Sequence, residues 1–214
     1  MKNTGWLALI AAIAAGPVLQ GCFPMAAIGV GAAVTSANDR RTSGTQIEDE
    51  GIELRASNRI SERWGDKVHI NVTSYNRAVL ITGEAPDEAT RVAIEKIAAA
   101  VPNVRGITND TAVAGIAALS ARTNDSYLTS KVKARFVDAN TFNPFHVKVV
   151  TENGTVYLLG IVTEAEAKAA TDVARTTGGV RKVVRLFEYC QPTDEVCRPP
   201  APAKAEAGKA PAKP

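Results

Sequence analysis

The chain has 214 residues, of which 45% are hydrophobic and 22% charged, and its formal net charge is +3. This length allows one or two domains, and the apolar fraction allows a buried core. The net charge is too small to imply a general polyanion binder.

The N-terminal segment has the pattern of a bacterial lipoprotein signal peptide. Lys2 supplies positive charge, residues 6–19 form an apolar run too short to span a bilayer comfortably, and residues 19–22 (Leu-Gln-Gly-Cys) fit a lipobox. We expect cleavage before Cys22, which then carries diacylglycerol and an N-acyl chain. An ordinary signal peptide with an incidental Cys is the alternative. The residue after Cys22 is Phe23, whereas an Asp at this position would indicate retention in the inner membrane. This predicts an outer-membrane anchor with the folded part facing the periplasm.

The rest of the chain divides by composition and repetition. We expect a signal peptide over 1–21, a lipidated tether over 22–45, two domains over 46–113 and 124–189, and a disulfide loop with a disordered Pro/Ala/Lys-rich tail over 190–214. The cationic tail either is simply solvated or touches anionic surfaces.

The sequences of the two domains predict the same helices and strands in the same order. A helix (49–64; 125–137) is followed by two β-rich runs, a second helix (87–101; 164–177) and a third strand (104–111; 180–189). The turn between the β-runs is Asn76-Arg77 in the first unit and Asn153-Gly154 in the second, and Asn-Gly is the strongest short hairpin signal. Asp87 or Thr163 could cap the second helix.

The two units align as an internal repeat. At an offset of 77 residues, His69 falls on His146, Asn76 on Asn153 and Gly83 on Gly160. The matches continue into the second helix and the third strand, which favours duplication over coincidence. The predicted fold class is therefore α+β: two tandem αββαβ units, each a three-stranded mixed sheet with two helices on one face.

This unit resembles the BON domain. The resemblance is closest over residues 124–133 (NDSYLTSKVK), 147–154 (VKVVTENG) and 160–170 (GIVTEAEAKAA), and it extends from residue 44 to about 188. Two such units behind a lipobox resemble the dual-BON-domain outer-membrane lipoproteins. The resemblance implies binding of anionic, phosphatidylglycerol-like phospholipid by the first helix of the second domain, support of outer-membrane integrity, and a place at division sites. It also implies links to cell-wall amidase regulation and to outer-membrane protein assembly.

The charges of the two units support the second as the lipid-binding one. Residues 47–113 contain eight Lys/Arg and eleven Asp/Glu (net −3), whereas residues 124–189 contain nine and seven (net +2). Along the helix 125–137 an apolar stripe predicted to face the sheet is flanked by cations, with a tyrosine near its start. The candidate lipid-binding residues are Tyr127, Leu128, Lys131, Val132, Lys133, Arg135 and Phe136. The alternative is a solvated helix, and a protein-binding scaffold that uses the acidic first unit is the competing function.

The remaining polar residues suggest no chemistry. Cys190 and Cys197 form an even pair in an oxidising compartment and are expected to form a disulfide, although a metal-binding or reduced pair is the alternative. His69 and His146 are expected to be strand-edge residues with no metal. We find no nucleophile elbow, phosphate-binding loop or histidine pair at metal-ligand spacing. We therefore expect no enzyme activity, no cofactor beyond the Cys22 lipid and no nucleic-acid partner, in a monomer.

Overall fold

The computed structural model describes residues 39–198, which lie in one compact unit. The predicted signal peptide, the predicted lipidation site Cys22 and the tail beyond residue 198 lie outside the described residues. Within residues 39–198, no helix combines the length and apolar character needed to cross a membrane.

The first unit folds as a helix, a hairpin, a helix and a short third strand. Its elements are α1 (Ser43–Trp64), β1 (His69–Tyr75), β2 (Ala78–Ala85), α2 (Glu88–Ala99), β3 (Gly106–Asn109) and β4 (Ala112–Val113). Strand β2 is central, antiparallel to β1 and parallel to β3 and β4. The predicted third strand is thus split at Asp110 and Thr111, where the Asn109 side chain accepts a hydrogen bond from the Thr111 backbone N–H.

The second unit repeats this order. Its elements are α3 (Leu119–Ala139), β5 (Lys148–Glu152), β6 (Thr155–Val162), α4 (Glu164–Arg175) and β7 (Lys182–Tyr189). Strand β6 is central, antiparallel to β5 and parallel to β7. Helix α4 begins at a capping box, in which Thr163 and Glu166 bond each other's backbone N–H groups. The predicted α+β fold of two tandem αββαβ units is confirmed.

The hairpin turns form where predicted, but the helices before them begin earlier than expected. Both α1 and α3 begin six residues before Asp49 and Asp125, the positions taken as their starts. Each aspartate is buried inside its helix and accepts hydrogen bonds from two backbone N–H groups of the hairpin turn. An aspartate that resembled a helix start therefore holds the turn of a hairpin almost thirty residues away.

A glycine in the central strand of each sheet allows close approach to the backbone where the preceding strand begins. A Cβ on Gly83 would collide with the carbonyl oxygen of His69, and one on Gly160 would collide with that of His146. Gly83 also has a φ of +111°, a conformation that favours glycine. The repeated glycine is thus explained by close backbone approach.

The two sheets pack against each other through the faces that carry no helices. Val79 and Ile81 point into the helix-side core of the first unit, and between them Leu80 points to the other face, as a strand's two-residue period requires. Strand β6 behaves in the same way. A third core of Tyr75, Leu80, Tyr157 and Leu159 therefore lies between the sheets. The resulting layers are helices, sheet, sheet and helices.

The two arginines just before α1 are bound to the folded domains. The Arg40 guanidinium pairs with Glu166 at 2.7 Å and donates to the carbonyl of Ile161 at 2.9 Å, both in the second unit. The Arg41 guanidinium pairs with Asp49 and lies over the Tyr75 ring, 4.1 Å from its centroid. Residues 40 and 41, which the sequence analysis placed in the tether, are therefore bound to the folded domains.

Candidate functional site

Helix α3 carries the candidate site, and its sequence explains which face it buries. Leu128, Val132 and Phe136 recur every four residues and are 2%, 0% and 1% exposed. Their side chains pack into the second unit's core, so their prediction as lipid contacts is wrong, although the prediction that they face the sheet is confirmed. The helix ends at Asn140, whose φ of 46° is left-handed.

The opposite face of α3 is open to solvent and begins with an aromatic side chain next to a cation. Tyr127 is 63% exposed. The Lys131 ammonium lies 5.9 Å from the Tyr127 ring centroid and donates to the Gly178 carbonyl at 3.0 Å. These contacts hold the lysine at the edge of the exposed face.

Arg135 lies on the same side as Lys131 but has a structural role. Its guanidinium donates to the Val173 carbonyl at 3.1 Å and to the hydroxyls of Thr177 and Thr176 at 2.8 and 3.2 Å. These acceptors lie at the C-terminal end of α4, where a cation also interacts favourably with the helix dipole. Arg135 therefore ties α3 to α4.

On the other side of the exposed face, Lys133 lies beside apolar side chains that the sequence analysis missed. Val137 is 63% exposed and Phe145, in the 3₁₀ turn Pro144–His146, is 46% exposed. With Lys133 they line a groove of about 330 Å³ whose wall includes Tyr75 of the first unit. Val137 comes one residue after the buried Phe136 and so lies off the buried stripe of the helix. This position in the sequence already indicated that the Val137 side chain is exposed.

We give the name α3 surface to the exposed Tyr127, Lys133, Val137 and Phe145 together with the half-buried Lys131. At 100° per residue, Ser130, Ala134 and Asp138 lie between its two edges, and all three are exposed. The α3 surface thus combines two ring systems, one aliphatic side chain and two ammonium groups, and the centre of this face holds two small residues and the Asp138 carboxylate.

The two histidines are partly buried and each is bonded to a glutamate. His69 Nδ1 lies 3.0 Å from Glu84 Oε2, and His146 Nδ1 lies 2.9 Å from Glu166 Oε1. Burial lowers the pKa of His146, and the bond to Glu166 opposes this only in part. Burial acts against ionisation of Glu166, but hydrogen bonds from Arg40 and from the Thr163 backbone N–H lower its pKa to about 2.

The cysteines after the last strand are paired. Cys190 and Cys197 form a disulfide with a Cα–Cα distance of 6.2 Å, and both are buried. The disulfide closes the segment that follows β7, which includes the 3₁₀ turn Glu195–Cys197.

Comparison with known families identifies both units. The family model described as "BON domain" matches residues 48–115 and again residues 124–191. The chain belongs to the BON-domain family. Its two BON domains confirm the duplication inferred from the aligned glycines and histidines.

Two relatives share most of the chain. The outer membrane lipoprotein DolP of Haemophilus influenzae is 39% identical over 175 residues, which cover 80% of this chain and 90% of the relative. A 21 kDa hemolysin of Actinobacillus pleuropneumoniae is 34% identical over 155 residues, which cover 72% of this chain and 80% of the relative. Among solved structures, CdsD of the Chlamydia trachomatis type III secretion system is 11% identical with a TM-score of 0.27, over 68% of this chain and 92% of that chain.

Proposed function

We propose that this chain is an outer-membrane lipoprotein, anchored at Cys22, whose second BON domain binds anionic phospholipid through the α3 surface. The observation that carries the proposal is the exposure of Tyr127 beside Lys131 on a helix whose apolar stripe is already buried in the core. Through this contact the chain supports outer-membrane integrity and division-site envelope processes.

The α3 surface has the chemistry of a membrane interface. Tyrosine rings favour the headgroup level of a bilayer, where the apolar ring and the polar hydroxyl each find a suitable environment. A Lys or Arg near an anionic membrane contributes about 1 kcal/mol. Lys131 and Lys133 flank the exposed face, while Val137 and Phe145 offer side chains that enter only the shallow part of the bilayer.

The relative named outer membrane lipoprotein DolP supports the proposed location, since it matches 80% of this chain. The lipobox that ends at Cys22 supports the anchor. A lipid anchor would hold the second BON domain close to the membrane, so that a weak contact through the α3 surface suffices.

The test is co-sedimentation of residues 23–214 with phosphatidylglycerol or neutral phosphatidylcholine vesicles. Omitting Cys22 removes the anchor, so binding must come from the folded domains or the tail. We expect selective binding to phosphatidylglycerol. Because each cation contributes about 1 kcal/mol, Lys131→Glu/Lys133→Glu should weaken binding by about thirtyfold or more.

The variant leaves Arg135 intact because its loss would also break the link to α4. The matched control, Lys168→Glu/Lys182→Glu, makes the same change in net charge at exposed positions of α4 and β7. Equal binding by the two double variants would contradict a site on α3 and point to the tail or to overall charge.

The second candidate function is a protein-interaction scaffold in the periplasm, for cell-wall amidase regulation or outer-membrane protein assembly. Ile47 and Leu54 of α1 are seven residues apart, share a face of the helix, and are 71% and 63% exposed. Loss of partner capture by Ile47→Ser/Leu54→Ser, with vesicle binding unchanged, would favour this function for the first BON domain.

A further inference from the structure

Three potential metal ligands converge where the two BON domains meet. His69 and Glu84 face each other across the β1–β2 pair, and Glu152 comes from the end of β5 in the other domain. One ligand atom from each of the three lies within 4.8 Å of the other two. The set is assembled only when the two domains are packed together.

Within the described residues, the two carboxylates are buried with no lysine or arginine bonded to them. Glu84 is 5% exposed and Glu152 is 8% exposed. In the part of the chain that the structure describes, neither pairs with a lysine or arginine, and His69 is the one ion-pairing partner of Glu84. Burying two neighbouring carboxylates is costly unless a cation or a hydrogen-bond network compensates them.

Hydrogen bonds hold these carboxylates in place through one oxygen each. Glu84 Oε2 lies 3.0 Å from His69 Nδ1 and accepts a bond from the Ala117 N–H at 3.3 Å. Glu152 Oε2 accepts from Asn71 Nδ2 at 2.8 Å and from the Thr82 hydroxyl at 3.2 Å. These bonds occupy His69 Nδ1 and Oε2 of each glutamate, so a bound metal either replaces the His69–Glu84 contact or uses the second oxygen or nitrogen of these side chains.

The cluster opens onto a cleft of about 420 Å³ between the domains. His69, Asn71 and Glu152 line the cleft, together with Arg122 and Asp125 of α3. The cleft provides an entry path and room for a water molecule as a further ligand, which a three-residue site requires to complete tetrahedral coordination.

We propose that His69, Glu84 and Glu152 bind a divalent transition-metal ion, with Zn²⁺ as the ion that best suits the ligands. One imidazole with two carboxylates is a nitrogen–oxygen set that suits Zn²⁺, whereas Ca²⁺ and Mg²⁺ prefer oxygen alone. Zn²⁺ ligands at about 2.0–2.2 Å lie about 3.4 Å from one another in a tetrahedron, so the side chains need only a small inward movement. The bound ion links the two BON domains. This proposal differs from the sequence analysis, which expected no metal at His69.

The repeat provides a matched control. His146 is equivalent to His69, but its partner Glu166 already pairs with Arg40 at 2.7 Å. The charge of Glu166 is therefore compensated, and within residues 39–198 His146 belongs to no cluster of three potential metal ligands.

The test is calorimetric titration of residues 23–214, freed of metal with a chelator, with ZnCl₂, and in parallel with MgCl₂ and CaCl₂. We expect one Zn²⁺ per chain, a higher thermal unfolding midpoint with Zn²⁺, and no saturable binding of Mg²⁺ or Ca²⁺ at the same concentrations. Since loss of a hydrogen bond to a metal ligand already costs about 10–100-fold in affinity, removal of a ligand itself should cost at least that much.

His69→Ala and Glu152→Gln should each lose Zn²⁺ binding, while His146→Ala should retain it. Glu152→Gln keeps an oxygen that can accept from Asn71, and far-UV circular dichroism verifies that each variant is folded. Absence of saturable Zn²⁺ binding would overturn the proposal. Retention of binding by the folded Glu152→Gln and His69→Ala variants, or its loss in folded His146→Ala, would do so as well.

Discussion

Replacement of Asp125 by alanine tests how the first helix of each BON domain is joined to its hairpin. The Asp125 carboxylate is 6% exposed and accepts the backbone N–H groups of Asn153 and Gly154, both at 2.8 Å. Hydrogen bonds to a charged group contribute about 1.5–3 kcal/mol each. Since Asn153 can turn to water while Gly154 is buried, we expect Asp125→Ala to lower the free energy of unfolding by about 3–4 kcal/mol.

The assay is urea unfolding of residues 23–214 followed by circular dichroism, with amide hydrogen exchange measured by NMR. Faster exchange should be concentrated at Asn153 and Gly154. Asp138→Ala, which removes an exposed carboxylate from the same helix, should stay within about 0.5 kcal/mol of the unsubstituted chain. A loss below about 1 kcal/mol for Asp125→Ala, with both turn amides still protected, would refute the reasoning.

Three other changes test separate parts of the fold. Gly160→Ala should destabilise the chain by more than about 2 kcal/mol because its Cβ meets a backbone carbonyl, whereas Gly106→Ala, with open space around it, should cost far less in urea unfolding. The lowered pKa of Glu166, about 2 against an ordinary 4.5, means that its stabilisation is complete above pH 4.5 and is lost as the pH falls towards 2. Between pH 5 and 2, thermal unfolding should therefore show that the free energy of unfolding of Glu166→Gln falls by about 3 kcal/mol less than that of the unsubstituted chain. The same fall in both chains would contradict this. Cys190→Ser/Cys197→Ser opens a loop with a sequence separation of 7 and should cost about 2.5 kcal/mol, measured against the oxidised chain in urea; an unchanged midpoint would contradict a stabilising bond.

Local patterns predicted the elements of each BON domain well. The Asn153-Gly154 turn and the four-residue spacing of Leu128, Val132 and Phe136 each have a local physical cause. The helix starts failed because Asp49 and Asp125 bond a turn that is distant in sequence, and no local pattern distinguishes such an aspartate from a helix cap.

The packing of one sheet on the other had a signal that the sequence analysis did not use. Residues 79–81 and 156–159 are continuous apolar runs, which are typical of a strand buried on both faces. In a sheet with helices on one face and solvent on the other, apolar and polar residues should instead alternate along each strand.

The candidate surface was predicted only in part. Helical spacing identified Lys131 and Lys133, but it could not show that Arg135 bonds α4 or that Phe145 adjoins α3. The residues of the proposed metal site are far apart in sequence and come from both domains, so no spacing motif could connect them.

The central claim is that the α3 surface meets the membrane, and fluorescence quenching by brominated lipid tests it most directly. Trp64 is the single tryptophan of residues 23–214. A Trp64→Phe/Tyr127→Trp chain therefore reports from α3 alone, and the unsubstituted chain reports from the end of α1. With brominated phosphatidylglycerol vesicles, we expect strong quenching of the indole at position 127 and little quenching of Trp64. Quenching of Trp64 without quenching at position 127 would contradict membrane contact through the α3 surface.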